Sequence, residues 1–493
     1  MFGKAIPDSM RSAVKRFARA DQGNIAMIFA ITLVPLLAIV GAAVDYTRAS
    51  AARSAMQAAL DTASLMISRD AAANPSLSAD AIQNLAKQYF DALYHNSDAN
   101  SIAVKAVYSA GSSGTPASIT MEGSGIVPTD FMKLVGFPQL DIGADSKTAW
   151  GNTRMRVALV LDNTGSMAEN GKMPALQTAA KDLIDSLAGF SKQNGDVYIS
   201  IVPFSTDVNV GSSNYNASWI KWSGSPSGDS WDENNGACSG GLSYKTKSTC
   251  TSAQACSDSR YTTKNKCTNN GGTWKLANYT WAPKNHSTWN GCIMDRDQDN
   301  DTKNTAPVAG DTSIPSTLHY AEQSSNCPPA AVTPMSYNWS TLKDQIGAMS
   351  PNGSTNQAIG LAWGWQTLNT ANGPFQAPAK ESGYDYKDYI VLLSDGLNTR
   401  DRWYSCPNSG PCPTIDARQD LLCNNVKDPK QNGGNQITVF TIQVNINSTD
   451  PESQILKSCA SGTNNFQMIT QTNQTASAFQ NILTQITKLR IAR

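Results

Sequence analysis

The sequence predicts an α/β protein: a mostly parallel sheet covered by helices, interrupted by a large insertion and carried behind one membrane helix and a small α+β stalk. Three observations lead there. From Arg154 onward, short apolar runs of strand character alternate with amphipathic helical stretches, the rhythm of a sheet buried on both faces. An uncharged run from Asn24 to Val44 follows a basic segment. All 10 cysteines lie after residue 237, in Gly- and Asn-rich sequence.

Charge and cysteine content narrow the function classes. The 493 residues carry 39 basic and 39 acidic side chains, and only 16% are charged. No overall field recruits nucleic acid or an acidic substrate. An even number of cysteines in irregular sequence fits a disulfide network in an oxidising compartment. There is no Cys-x-x-Cys pair, and the 3 histidines, His95, His286 and His319, are scattered. Zinc and thioredoxin-like chemistry therefore have little support.

Residues 1–23 form a basic cytoplasmic segment, with Lys4, Arg11, Lys15, Arg16 and Arg19 against Asp8 and Asp21. Residues 24–45 form the anchor, long enough to cross the hydrocarbon core as a helix, and Pro35 within it is tolerated in a membrane span. A cleaved signal peptide is the alternative, but the run exceeds a usual signal core and helical character continues past Tyr46 without a break. With the basic cluster inside, the expectation is a single pass through the bacterial inner membrane, with the bulk of the chain periplasmic or extracellular. The Ala-rich stretch from Tyr46 to Ala72 continues as a helix. Its stripe of Met56, Ala59, Leu60, Ala63 and Ile67 needs a partner: either the next domain or another such helix, which would make a homo- or hetero-oligomer. A second helix is expected over 78–94. Residues 100–148 alternate as strands through Ile102, Val104, Val107, Ile119 and Met121, with SAGSSG as a turn. The module 46–150 reads as positional rather than chemical.

The segment RFARADQGNIAMIFAITLVPLLAIVGAAVDYTRASAARSAMQAALDTASL resembles the N-terminal module of TadG-like proteins of Flp (tight adherence) pilus assembly. A pilin-like chain would carry Glu five residues after Gly23, where this one has Ile28. The resemblance implies a membrane-held accessory protein, with pilus or Tad secretion components as partners, rather than a polymerising subunit.

Residues 151–493 carry the α/β rhythm. Strands are expected at 155–161, 197–203, 389–393 and 437–444, and helices at 173–188, 342–349, 356–369, 452–457 and 476–488. Asp162 leaves the first strand in VALVLDNTGSM, followed by Thr164 and Ser166, while Asp395 leaves a later one in YIVLLSDGLNT. Loops gather at the carboxyl ends of parallel strands, so two distant acids share one edge. The turn in PNGSTNQAIGL delivers Thr355 just before a helix. Oxygen ligands at such spacing suit a hard divalent cation.

Together Asp162, Thr164, Ser166, Thr355 and Asp395 are similar to the metal-ion-dependent adhesion site of von Willebrand factor A domains, which have a Rossmann-like fold. Thr164 stands where Ser is more usual and keeps the hydroxyl. The resemblance implies Mg2+, with Mn2+ or Ca2+ next, and an open coordination position for a carboxylate from a protein partner.

The insertion, 204–338, is far longer than an ordinary loop. It carries Trp219, Trp222, Trp231, Trp274, Trp281 and Trp289 and is expected to be a disulfide-stapled subdomain built on Trp packing. Asp295, Asp297, Asp299 and Asp301 alternate within it, a candidate second Ca2+ site. It is not an EF-hand, because Asn300 and Ala306 stand where such a loop needs Gly and Glu. Cys406 to Cys423 is read as a Cys-rich loop bordering the Asp395 edge.

The expected function is a non-enzymatic, anchored pilus-assembly or adhesion protein. A structural envelope protein whose cation stabilises the fold is the alternative. An exported metal-dependent hydrolase is disfavoured because Ser166 has no His or Lys base within its motif, and no Gly-Lys-Ser/Thr phosphate loop accompanies the Gly-rich turns.

Overall fold

The computed structural model describes residues 24–491, except 75–76, 110–115, 151–152, 192, 242, 372, 383, 408–409 and 447–450. The basic segment 1–23 and most of the SAGSSG turn lie outside the described residues. The chain divides into two compact units, Met1–Asn152 and Thr153–Arg493.

In the first unit, α1 (Asn24–Ala73) is one continuous helix that retains Pro35 in its interior. It is long and apolar enough to cross a membrane. Ser78 caps α2 (Ala79–Leu93) by accepting from the Ala81 N–H. Three antiparallel strands follow, β1 (Asn100–Ser109), β2 (Ala117–Pro128) and β3 (Gln139–Trp150), in the order β1-β2-β3. The stripe Met56, Ala59, Leu60, Ala63 and Ile67 is buried with Ile82, Phe90, Ile119 and Met121. This chain's own sheet and second helix thus cover the apolar face, the first of the two covers expected for it. Gly123 permits the approach, since a side chain there would meet Leu60 at 3.0 Å. Of the residues expected to alternate on β1, Val104 packs inward together with Ala106 and Tyr108, while Ile102 and Val107 are exposed. A register irregularity between Asn100 and Ala103 surrounds Ile102.

The second unit is built on an eight-stranded sheet. Its strands are β4 (Thr153–Asp162), β5 (Val197–Phe204), β6 (Val208–Asn209), β7 (Cys292–Ile293), β8 (Thr333–Ser336), β9 (Asp385–Ser394), β10 (Ile437–Val444) and β11 (Phe466–Ile469). Their order is β7-β6-β5-β4-β9-β10-β11, with β8 also paired to β5. The central pairs β5-β4, β4-β9, β9-β10 and β10-β11 are all parallel. Because β4 and β9 are buried on both sides, their residues are apolar almost without alternation. The helices that cover it are α3 (Lys172–Ala188), α4 (Trp339–Gly347), α5 (Gln357–Leu368), α6 (Pro413–Lys427), α7 (Gln454–Cys459) and α8 (Gln474–Ile491), with three further short helices within the insertion. On one face α3, α4 and α8 pack against Val157, Leu159 and Leu161. On the other, α5, α6 and α7 pack against Ala158, Val160 and Phe204. Gly360 and Gly364 let α5 lie close to the sheet, because a side chain at either would meet Phe204 at 2.6 Å or Val160 at 2.4 Å.

Three features differ from expectation. The insertion is stapled by three disulfides and packs Trp222 against Trp231 and Trp289 as expected, but it is not self-contained: β6, β7 and β8 extend the main sheet in antiparallel fashion, and Trp231 and Trp289 are buried in the same cluster as Trp363 and Trp365 of α5. Apolar side chains beside an open sheet edge gain most by joining the existing core. Cys406 to Cys423 is not one loop, since α6 starts at Pro413, with proline in the first turn where its missing N–H costs nothing. Strand β11 was not anticipated, being short and only partly buried. The cysteines form five disulfides, 238–250, 256–267, 292–327, 406–412 and 423–459.

Candidate metal centre

Strands β4 and β9 run side by side with Leu161 opposite Leu393, so Asp162 and Asp395 leave the sheet at its carboxyl edge. Asp162 is fully buried, and one carboxylate oxygen accepts the Thr164 N–H at 2.8 Å. Its other oxygen accepts the Ser394 hydroxyl at 2.6 Å and the Asp395 N–H at 3.3 Å. The Thr164 and Ser166 hydroxyls lie 3.0 Å apart, and Ser166 donates to Asp395 Oδ1 at 2.7 Å. Ser166 is exposed while Asp162, Thr164 and Asp395 are buried, so the cluster opens to solvent at Ser166.

Thr355 arrives on the neighbouring loop. Gly165 N–H donates to the Gly353 carbonyl at 2.9 Å and Asn352 N–H to the Asn163 carbonyl at 2.7 Å, which clamps the two loops together. Thr355 N–H donates to the Thr399 hydroxyl at 2.8 Å, and its carbonyl accepts from Thr399 N–H at 2.9 Å, tying it to the loop beyond Asp395. Helix α5 begins just after it, capped by the Asn356 side chain. The five expected residues thus sit on three loops held by mutual hydrogen bonds.

Two contributors were not read from the sequence. Lys172, 7% exposed, donates its ammonium to Asp395 Oδ2 at 2.8 Å; its signal is a single basic residue opening the helix after the motif. Ser394 anchors Asp162 from the position just before Asp395. Burial, and after it the charge of Asp395, push the Asp162 carboxyl up to about 7. A buried acid pair with hydroxyls around it and an all-oxygen donor set fits a hard divalent cation, which would relieve that repulsion. Among the described residues, no three acids, histidines or cysteines converge as a metal cluster, so any cation here depends on the hydroxyls.

The acids of the insertion take different partners. Asp295 accepts from the Asn356 side chain at 2.8 Å, and burial pushes its carboxyl well up, with the charges of Asp401 and Asp301 adding to it. Asp297 pairs with Arg402 at 3.1 Å and accepts from Tyr320 at 3.0 Å. Asp299 and Asp301 both pair with Arg418, Asp299 at 2.9 Å. The four do not converge on one point. Arginine is the physical reason: a guanidinium binds carboxylates in fixed forks and draws them apart.

Comparison with known proteins fits the N-terminal reading. Residues 23–73 match the family model for Flp pilus-assembly TadE/G-like proteins. Among solved structures, the chain is similar to the pilus adhesin SpaC from Lactobacillus rhamnosus GG, with 13% identity and a TM-score of 0.33 over 80% of this chain and 35% of that one. It is similar to the vWF domain of the type V pili tip protein Mfa5 from Porphyromonas gingivalis, with 10% identity and a TM-score of 0.33 over 70% of this chain and 98% of that one. Proximal thread matrix protein 1 from the mussel byssus, with a zinc-occupied MIDAS motif, aligns at 11% identity and a TM-score of 0.29 over 68% of this chain and 46% of that one. These scores are low, and the fold described above rests on this chain's own topology. No curated protein is significantly similar in sequence.

Proposed function

We propose that this chain is a non-enzymatic, membrane-anchored pilus-assembly or adhesion protein whose second unit is a von Willebrand factor A domain. In this reading Asp162, Thr164, Ser166, Thr355 and Asp395 hold a divalent cation, Mg2+ before Mn2+ or Ca2+, through which a protein partner binds. The observation that carries it is the meeting of two strand-end acids and two hydroxyls within hydrogen-bond distance at one sheet edge. When bound, the cation supplies an electrophilic position for a carboxylate oxygen of the partner. Ser166 keeps the site open, Asp162 is held rigid by Ser394 and Thr164, and Lys172 offsets part of the charge of Asp395. The acids at 295–301 already have arginine and amide partners, and we assign no calcium to them. In this reading the second unit lies outside the inner membrane, which the apolar helix and the paired cysteines support.

The test is calorimetric titration of the purified full chain with Mg2+, Mn2+ and Ca2+, followed by capture of pilus components with and without chelator. Saturable binding lost in Thr355→Ala, with the fold retained, is expected. A wild-type chain that binds none of the three cations sinks the proposal. A second reading, a cation that only stabilises the fold, is favoured by the complete burial of Asp162. It would be chosen if cation binding raised the unfolding temperature while capture stayed indifferent to chelator.

A further inference from the structure

We propose that the loop joining β2 to β3, residues 129–138, is a membrane contact that seats its apolar side chains in the interfacial region of the leaflet nearest the first unit. The inference rests on reading residues 24–45 as a membrane anchor. Phe131, Leu134, Val135 and Phe137 are 47%, 80%, 59% and 58% exposed. So dense an apolar display on a short loop marks an interaction surface.

The loop's position identifies the partner. Asp45 is the first charged residue after the apolar run, is buried, and accepts the backbone N–H groups of Asp130, Phe131 and Met132 at 3.0, 2.9 and 2.8 Å. Arg48 adds an ion pair to Asp130 at 2.7 Å. Phe131 lies against the helix one turn nearer the membrane, since a side chain on Gly41 would meet it at 2.5 Å. At that level Leu37, Val40 and Val44 are exposed apolar residues of the helix. The loop's apolar face is therefore continuous with the surface that lipid would cover. From Met27 to Asp45 the helix rises roughly 27 Å at about 1.5 Å per residue, close to a hydrocarbon core of about 30 Å.

The loop is also built to hold that level. Thr129 N–H donates to the Pro138 carbonyl at 3.1 Å and Phe137 N–H to the Met132 carbonyl at 3.0 Å, with Gly136 in the left-handed conformation (φ 98°) that closes the turn. Lys133 is exposed and pairs with Asp130 at 3.6 Å, a cation on an apolar loop placed to reach lipid headgroups. A fixed apolar tip beside the anchor would limit tilt of the first unit against the membrane.

The test uses the full chain in lipid nanodiscs, with a genetically encoded fluorescent residue at position 134 in one sample, 36 in a second and 107 in a third. Lipids carry spin-label quenchers near the headgroup or deep in the chain, and iodide probes the aqueous side. Position 107, exposed at the end of β1 opposite Thr120, is the aqueous reference. The expected result is quenching at 134 by the shallow label at least twofold above that at 107, with 36 quenched by the deep label. If 36 is lipid-quenched but 134 behaves like 107, the loop proposal is overturned and the anchor stands. If 36 also escapes lipid quenching, the anchor reading fails and the loop proposal with it. Shielding of 134 from both lipid labels and iodide would point to a protein cover and equally overturn it.

Discussion

Two groups of closely spaced acids lie in the second unit, and the structure treats them in opposite ways. At the sheet edge, Asp162 and Asp395 meet hydroxyls and one lysine. In the insertion, Asp297, Asp299 and Asp301 are taken by Arg402 and Arg418. Asp162 and Asp395 are 233 residues apart in the chain, whereas the insertion's acids stand at every second position of one stretch, so closeness in sequence does not make a cation site. What separates them is counter-charge: forked guanidinium groups neutralise one set, whereas hydroxyls leave the other short of positive charge.

The largest effect that would break this comparison comes from Arg402, whose side chain is 1% exposed and pairs with both Asp229 and Asp297. Arg402→Met strands buried carboxylates and should lower stability by about 3–5 kcal/mol in denaturant unfolding. A loss within a few tenths of a kcal/mol would show that those acids need no arginine. Next comes Asp162→Ala. At a cation concentration of about 100 times Kd the wild-type chain should gain about 2.7 kcal/mol of stability, and the variant none, read as the cation-dependent shift in Tm. Lys172→Met removes the tethered cation from Asp395 and should tighten divalent binding about tenfold, equivalent to about 1.4 kcal/mol; weaker binding on titration would mean that Lys172 positions Asp395 instead. The smallest effect belongs to Asp299→Ala, which breaks only the exposed arm of the Arg418 pairing and leaves the buried Asp301 in place. Asp299 is 61% exposed in that pairing, so solvent screening keeps the expected loss near about 1 kcal/mol or less. If Arg418→Ala bound one more calcium in calorimetry than the wild-type chain does, arginine would be what closes the second set of acids.

Much of the fold was readable because its determinants are local. The β10 strand matches its expected span of 437–444, since an apolar run between turn residues can satisfy its backbone only as a buried strand. Helix α6 escaped notice because its sequence, PTIDARQDLLCNNVK, mixes Asn, Asp and Cys with few apolar positions. It is held by the sheet, by α5 and by the Cys423–Cys459 bridge to α7, none of which lies nearby in sequence. At the site, Asp162, Thr164, Ser166, Thr355 and Asp395 stood out by residue type and place. Lys172 did not, because a lysine opening a helix ordinarily points to water, and only the approach of β9 brings Asp395 within 2.8 Å of it.

By itself, then, the sequence determined the apolar helix, the strand and helix rhythm, and the oxygen-bearing residues at the strand ends, because each depends on periodicity or on neighbours in the chain. Tertiary structure decided the rest. It chose which acids found arginines, paired the cysteines, covered the Met56 to Ile67 stripe with the first unit's own sheet, and set the loop at 129–138 beside Gly41. Those outcomes turn on contacts between residues far apart in the chain, such as the Asp45 carboxylate and the Phe131 N–H, and no local pattern encodes which of several equally suitable partners folding will deliver.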